Sequence, residues 1–322
     1  MEFRTLGKST LKVSPLCFGG NVFGWTINEE ESFRILDAFV DSGFNFIDTA
    51  NSYSKWVPGN KGGESEMVIG NWLKKSGKRH RIVLATKVGS EMAPGEKGLS
   101  KNYIKKAVEA SLQRLQTDYI DLYQSHYDDL SLPVTEPLEA YQDLIREGKV
   151  RVIGASNFDA GRLKEALEAS ANGLPRYESL QPHYNLVERE EFEKDLEAVC
   201  EHYSLGVISY FSLASGFLSG KYRSEQDLAR SARGHGVKKY LNEHGFRVLS
   251  ALDDVSKKHN ATLAQTSLAW LIARPSVTAP IVSATSVQQW NDLARAAELQ
   301  LDLEDIQLLN AASTWLKAEP GS

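Results

Sequence analysis

Ile82-Val83-Leu84-Ala85-Thr86-Lys87, residues 82–87, is a mostly apolar run of strand length that ends on a lysine. A run that stays apolar without alternating fits a parallel strand covered on both faces. The same kind of run recurs at Leu16–Gly20, Phe44–Asp48, Ile120–Gln124, Val150–Ala155, Ser179–Gln181, Val207–Tyr210 and Pro280–Ser283. Helical periodicity fills the intervals. Ile104, Ala107, Val108, Leu112 and Leu115 share one helix face, with Ser100 placed to cap it. Leu138, Tyr141, Leu144 and Ile145 repeat the pattern, and Gly148 stops it. Val287, Trp290, Leu293, Ala294 and Ala297 follow a Ser286-x-x-Gln289 capping box. Strands and helices alternating in this way predict an α/β chain closed into a (β/α)8 TIM barrel. A doubly wound open sheet is the alternative. It loses ground because no Gly-x-Gly-x-x-Gly follows any strand.

Three segments fall outside the repeat. Phe3–Leu6 and Leu11–Val13 flank a Gly-Lys-Ser-Thr turn and read as an N-terminal β-hairpin able to plug the barrel floor. Residues 211–244 form a long connection rich in Ser, Gly, Arg and Lys, and βα loops of that length are usually functional. Leu303–Trp315 reads as an extra C-terminal helix and tail. No linker-like boundary interrupts the 322 residues, so residues 1–322 are expected to form one domain.

Composition narrows the functional classes. Lys and Arg number 37 against 42 Asp and Glu, a net charge of -5, which gives no electrostatic case for nucleic acid or an anionic membrane. Cys17 and Cys200 are the two cysteines, and their spacing suits no metal site. The chain starts Met-Glu-Phe-Arg and runs straight into strand-like sequence, with no stretch resembling a signal peptide or a membrane span. A cytoplasmic enzyme without a metal is the expectation, with no preference as to oligomeric state.

The catalytic rim of such a barrel lies at the C-terminal ends of its strands. Strand two ends in Asp48, within Phe46-Ile47-Asp48-Thr49-Ala50, and Tyr53 follows in the loop. Strand three ends in Lys87, and strand four leads to His126. Taken singly, Asp48 serves equally as a turn cap, Tyr53 as a wall, Lys87 as a partner for Asp48, and His126 as a donor to backbone. Together they are costly at buried strand ends unless paired. They assemble into a carbonyl reductase. Tyr53 protonates the carbonyl oxygen, Lys87 and Asp48 tune it, and His126 orients the substrate. A phenol near pKa 10 requires roughly 3–4 kcal/mol to reach about 7–8. A lysine at about 4 Å supplies about 1 kcal/mol in water but about 4 at the effective dielectric near a protein surface. The expectation is therefore a partly dry pocket with an acidified Tyr53. Side chains cannot donate hydride, so a cofactor is required.

These residues resemble the aldo-keto reductase family. The match runs through Asp48-Thr49-Ala50 with Tyr53, Lys87, Tyr119-Ile120-Asp121-Leu122 leading to His126, Gly148-Lys149-Val150-Arg151, Gly154-Ala155-Ser156-Asn157-Phe158 and Gln181-Pro182-His183-Tyr184-Asn185. The resemblance implies an NAD(P)H-dependent reductase of an aldehyde or ketone, with Asp48, Tyr53, Lys87 and His126 as the catalytic tetrad. It implies that Ser156, Asn157 and Gln181 hold the nicotinamide carboxamide, that Tyr210 stacks on the ring, and that Gly20, Asn21 and Asp48 touch the cofactor. Further contacts are expected at Phe211, Leu213, Ser215 and Lys221, where this chain has Phe211-Ser212-Leu213 in place of the common Ser-Pro-Leu.

Around the adenosine, the resemblance points to Ser283, Thr285, Ser286, Gln289 and Asp292. NADP(H) is favoured over NAD(H), although this turn lacks the Arg or Lys usual in relatives. Arg233, Lys238 and Lys239 of the long loop are candidates to replace it. Tyr53, His126, Trp56 and Phe23 are expected to meet the small-molecule carbonyl substrate, with Val22, Trp25 and Tyr127 as further walls. A nicotinamide-binding regulatory barrel associated with a membrane channel is the alternative within the family. A glycosidase-type barrel would need two opposed carboxylates on the rim, where only Asp48 stands out.

Overall fold

The structure, a computed structural model, describes residues 1–230 and 234–315. Eight parallel strands build the sheet: β1 (Cys17–Gly19), β2 (Phe46–Asp48), β3 (Val83–Val88), β4 (Ile120–Ser125), β5 (Val150–Ser156), β6 (Tyr177–Gln181), β7 (Gly206–Val207) and β8 (Ile281–Val282). Each pairs with its neighbour in chain order, and β8 returns to pair with β1. The remaining seam is closed by single hydrogen bonds, Thr278 N to Val207 O and Ile281 N to Ser209 O, each 2.8 Å. This is the expected (β/α)8 barrel.

The seventh and eighth strands are shorter than the apolar runs that announce them. Pro182 follows β6, the neighbour of β7, and Pro280 precedes β8; neither has an N–H to give to a ladder, and beyond β7 the pairing continues as isolated bonds such as Tyr210 N to Pro182 O at 2.9 Å.

Side-chain parity sorts each strand into an inner and an outer row. On β3, Val83 and Ala85 join the barrel interior, whereas Leu84 and Val88 pack outward beneath the helices. Phe46 on β2 and Leu122 on β4 belong to the same inner cluster. Continuing these rows upward by two residues reaches Asp48, Lys87 and Gln124. The inner rows thus start apolar and end polar, which places the polar groups at one level near the rim.

The floor is closed by the hairpin, in which Arg4–Thr5 pairs antiparallel with Lys12–Val13. Leu6, Leu11 and Val13 are buried in the inner cluster. Arg4 ties the hairpin to the barrel through the carbonyls of Ile272, Val277 and Thr278.

Helices α1 (Glu29–Asp41), α2 (Glu64–Ser76), α3 (Lys101–Leu115), α4 (Thr135–Arg146), α5 (Ala160–Ser170) and α6 (Glu197–Tyr203) surround the first strands. Ser100 caps α3, accepting from Tyr103 N, and Gly148 follows α4 at φ +74°. Between β7 and β8 the chain forms two helices rather than one, α7 (Glu243–His259) and α8 (Leu263–Ala273). α8 is apolar nearly all round, with Leu268, Ala269, Trp270 and Leu271 buried, so it is enclosed between other elements and lacks an amphipathic period. After β8 come α9 (Val287–Ala294) and the expected extra helix, α10 (Leu303–Ala312). The latter docks on α7, where Asp305 meets Lys258 at 2.9 Å and His259 at 2.7 Å. Among the described residues, no helix is long and apolar enough to cross a membrane.

Candidate active site

A cavity of about 910 Å³ opens at the C-terminal rim of the barrel. Beneath it, Lys87 and Asp48 are 0% and 1% exposed, with Lys87 Nζ donating to Asp48 Oδ2 at 2.6 Å. The same ammonium donates to the Tyr53 hydroxyl at 2.8 Å and to the Thr49 carbonyl at 2.9 Å, which occupies all three of its protons. The second oxygen of Asp48 accepts from Gln124 Nε2 at 2.9 Å and Gln181 Nε2 at 3.0 Å. The buried charge pair is therefore fully hydrogen-bonded, the condition under which such a pair is tolerated.

Burial pulls the Lys87 pKa down, but Asp48 and Tyr53 outweigh it, so the lysine is held charged, above its ordinary range. The expectation of an acidified Tyr53 is not met. Burial pushes its phenol up to about 12; Lys87 pulls it down by less, and Asp48 works against Lys87. Tyr53 thus keeps its proton at neutral pH, with a cation placed against the oxygen that would be left behind.

His126 follows β4, its backbone N bonded to Val88 O at 2.8 Å. Burial, with Lys87 nearby, lowers its pKa to about 3, so the imidazole is neutral. Its Nδ1 lies 2.9 Å from Ser90 Oγ, and its ring meets the Tyr53 ring edge-on at 6.1 Å between centroids. Tyr53, His126 and Ser90 all line the cavity.

Around the wall, Asn157 sits at φ +56°, a conformation that asparagine tolerates better than most residues. Its Nδ2 donates to His126 O at 2.8 Å, and its Oδ1 accepts from the Tyr210 hydroxyl at 2.9 Å. Ser156 Oγ donates to Gln181 O at 2.9 Å. The Tyr210 ring stacks on His183 at 5.2 Å and 13°. Asp159 caps α5, its side chain accepting from Arg162 N.

The cavity gathers many of the expected residues: Asn21, Ser156, Asn157, Gln181, Tyr210, Phe211, Leu213, Ser215, Lys221, Ser283, Thr285 and Gln289, together with Tyr53, Trp56 and His126. Others lie off it. Gly20 is buried, its carbonyl accepting from Ser65 Oγ, and the neighbouring Gly19 lines the wall instead. Asp48 is sealed beneath the floor with both oxygens occupied. Ser286, the N-cap of α9, and Asp292, on that helix, are outside the lining.

Phe23 is a correction. Its side chain is fully buried and stacks on Phe18 at 5.5 Å, so it is core rather than substrate wall. The capping box at Ser286 is half formed: Ser286 accepts from Gln289 N, but Gln289 Oε1 takes its bonds from Thr285 N and Oγ1. Lys238 and Lys239 pair with Glu225 and Glu188, and Arg233 lies outside the described residues.

Gln124 and Ser90 were not anticipated as site residues. Gln124 carried a signal, being a polar residue in the inward row of an apolar strand. Ser90 carried none, since its role depends on the approach of two loops.

The mouth is aromatic. Trp56, Tyr127 and Phe211 are each about half exposed. Trp56 packs edge-on against Trp25 at 5.5 Å, and Tyr127 stacks on His126 at 4.9 Å.

Residues 15–314 match the model of the Aldo/keto reductase family. The chain is 37% identical over 318 residues to the uncharacterized oxidoreductase YrpG of Bacillus subtilis strain 168, covering 96% of this chain and 95% of the relative. It is 32% identical to norsolorinic acid reductase B of Aspergillus parasiticus, covering 97% and 83%. It is also 32% identical to a probable voltage-gated potassium channel subunit beta of Arabidopsis thaliana, covering 93% and 92%. The chain belongs to the aldo/keto reductase family, and with it to the NAD(P)H-dependent oxidoreductases that act on small carbonyl compounds.

Proposed function

We propose that this protein reduces an aldehyde or ketone to an alcohol with NADP(H), using Tyr53 as general acid, Lys87 and Asp48 to support it, and His126 to orient the carbonyl. The observation that carries this reading is the chain from Asp48 through Lys87 to the Tyr53 hydroxyl, linked at 2.6 and 2.8 Å and opening on the cavity beside His126.

The lining suits a dinucleotide. Gln181 spends its amide nitrogen on Asp48 and Gln124, while its amide oxygen has no partner among the described residues and is available to a carboxamide N–H. Tyr210, backed by His183, offers a flat aromatic face at the same wall. No Asp or Glu is among the described residues lining the cavity, and Lys221 is. This favours a 2′-phosphate over a free ribose hydroxyl, which acidic side chains bind in many NAD sites.

A nicotinamide held by Gln181 and Tyr210 would supply hydride to the carbonyl carbon. As negative charge grows on the carbonyl oxygen, Tyr53 releases its proton to it. An alkoxide is far more basic than a phenolate, so the transfer is downhill even from a phenol at about 12. Lys87 stabilises the phenolate at 2.8 Å, and Asp48 keeps the lysine aimed there. Neutral His126 makes a hydrogen bond to the same carbonyl oxygen without competing for the proton.

The test is NADPH oxidation with a panel of aldehydes and ketones. Tyr53→Phe is expected to lower kcat by about 10²–10⁴-fold, the range for loss of a general acid. Nucleotide binding, read by tryptophan fluorescence, is expected to stay intact, with NADPH bound more tightly than NADH. An undiminished Tyr53→Phe enzyme would remove the catalytic assignment, and tighter NADH binding would reverse the cofactor assignment.

A further inference from the structure

We infer that Ser90 is a positioning residue that holds His126 in the Nε2–H tautomer by donating its hydroxyl proton to Nδ1. The inference rests on the carbonyl-reductase reading for its consequence, and on geometry for its existence.

A neutral imidazole carries one N–H, and the bond at its other nitrogen decides which. Ser90 Oγ is 2.9 Å from His126 Nδ1, and no other hydrogen bond to that hydroxyl occurs among the described residues. Two arrangements satisfy the distance. If Nδ1–H donates to Ser90, then Nε2 keeps a lone pair. A lone pair facing a carbonyl oxygen repels it, and the repulsion grows as that oxygen gains charge. If Ser90 donates to Nδ1, then Nε2 carries the proton and becomes a second donor beside the Tyr53 hydroxyl. A serine hydroxyl rotates freely enough to donate, and its oxygen is not committed elsewhere. Only the second arrangement serves a developing oxyanion.

The rest of the histidine is already fixed. Its backbone N is bonded to Val88 O, its carbonyl accepts from Asn157 Nδ2, and Tyr127 stacks on its ring. The backbone of His126 is therefore held without Ser90, and the Tyr127 and Tyr53 rings bracket the imidazole. Ser90 supplies the hydrogen bond to a ring nitrogen, and that bond decides where the proton sits. Its place in the chain suits the task. It follows Gly89, whose φ of +121° turns the chain after β3 across to the loop that begins with His126. A Cβ at Gly89 would come within 3.2 Å of Leu99, so the turn is closely packed.

The experiment combines ¹⁵N NMR of histidine-labelled holoenzyme with steady-state kinetics of Ser90→Ala and Ser90→Thr. The wild-type spectrum is expected to show His126 as the Nε2–H tautomer. Ser90→Ala is expected to shift it towards a tautomer mixture and to lower kcat by about tenfold, the scale of one lost hydrogen bond. Affinity for NADPH should stay within about twofold of wild type, and Ser90→Thr, which keeps the hydroxyl, should restore both signals. A wild-type Nδ1–H tautomer overturns the inference at once. So does Ser90→Ala with an unchanged His126 spectrum. If instead the spectra behave as expected while no carbonyl compound is turned over, the tautomer assignment stands and the proposed function fails.

Discussion

The rim over β2 to β4 and the rim over β7 and β8 line one cavity, yet they are built in opposite ways. On the first, the working atoms belong to side chains. Asp48, Lys87 and Gln124 end inward rows of buried strands, and each is at most 1% exposed. On the second, the chain leaves the sheet early and turns through left-handed backbone at Phe211, Ala214, Ser215 and Gly216, with small side chains and an exposed Phe211. Proton transfer depends on a few atoms held within tenths of an ångström, which packed strand ends provide. Holding an elongated, charged ligand depends on many small contacts, which a loop of small residues provides through its backbone. One rim is thus costly to alter by a single side chain, and the other is sensitive to conformation.

The largest effect is expected at Lys87. Lys87→Met leaves the Asp48 carboxylate buried without its cation, which costs about 3–5 kcal/mol of stability. Activity should fall by at least about 10²-fold, since Tyr53 then has no cation beside its oxygen. Adding Asp48→Asn to this variant should return most of the stability and none of the activity. Urea unfolding and NADPH turnover read the two quantities separately. If Lys87→Met were as stable as wild type, the pair would be decoupled from the fold and the contrast between the rims would lose its basis.

The same contrast explains what the sequence made legible. Asp48 and Lys87 announce themselves because a charge at the end of an apolar run is expensive, and the pairing partner lies on the next strand. Gln124 obeys the same parity and was open to the same reasoning. The barrel itself was legible because buried parallel strands leave continuous apolar runs. Phe23 was misassigned because an aromatic after a strand end reads alike whether it faces ligand or core; only its stack on Phe18 decides. The raised Tyr53 pKa was out of reach for a different reason. It is a balance between burial and two opposing charges, and burial cannot be measured from a motif. On the β7 side little beyond small residues could be read, because backbone conformation carries the design. Pro182 and Pro280 were visible, yet their shortening of the ladder was not anticipated.

The second test addresses the loop rim. Gly216 lines the cavity at φ +95°, and a Cβ there would approach Lys221 Cε and Nζ to 3.1 Å. Gly216→Ala forces an L-residue into a region that costs roughly 1–2 kcal/mol. If that strain is relieved by moving the loop, KM for NADPH should rise by about tenfold. With saturating cofactor, kcat should stay within about twofold, because Asp48, Tyr53, Lys87 and His126 have not moved. A fall in kcat with unchanged KM would place this loop in the chemistry and erase the distinction between the rims.

The smallest effect is a slope in stability against pH. His126 in the native protein is lowered to about 3 by burial and by Lys87, whereas in the unfolded chain it titrates near pH 6.5. Below that value the unfolded state binds a proton that the native state refuses. The contribution is complete above pH 6.5 and is lost progressively as pH falls towards 3. Between pH 7 and 6 one such group changes stability by at most about 0.7 kcal/mol, and by less here because part of the ring faces the cavity. His126→Asn removes the titrating group, so its stability should fall less than that of the wild type over the same interval, as read by urea midpoints at each pH. Gly216→Ala should keep the wild-type slope, because the loop rim has no part in this titration. Equal slopes for wild type and His126→Asn would show that the imidazole is free to take up a proton in the native site. Neutrality, and with it the single N–H that Ser90 is inferred to direct, would then have to be imposed by the bound ligands rather than by the barrel.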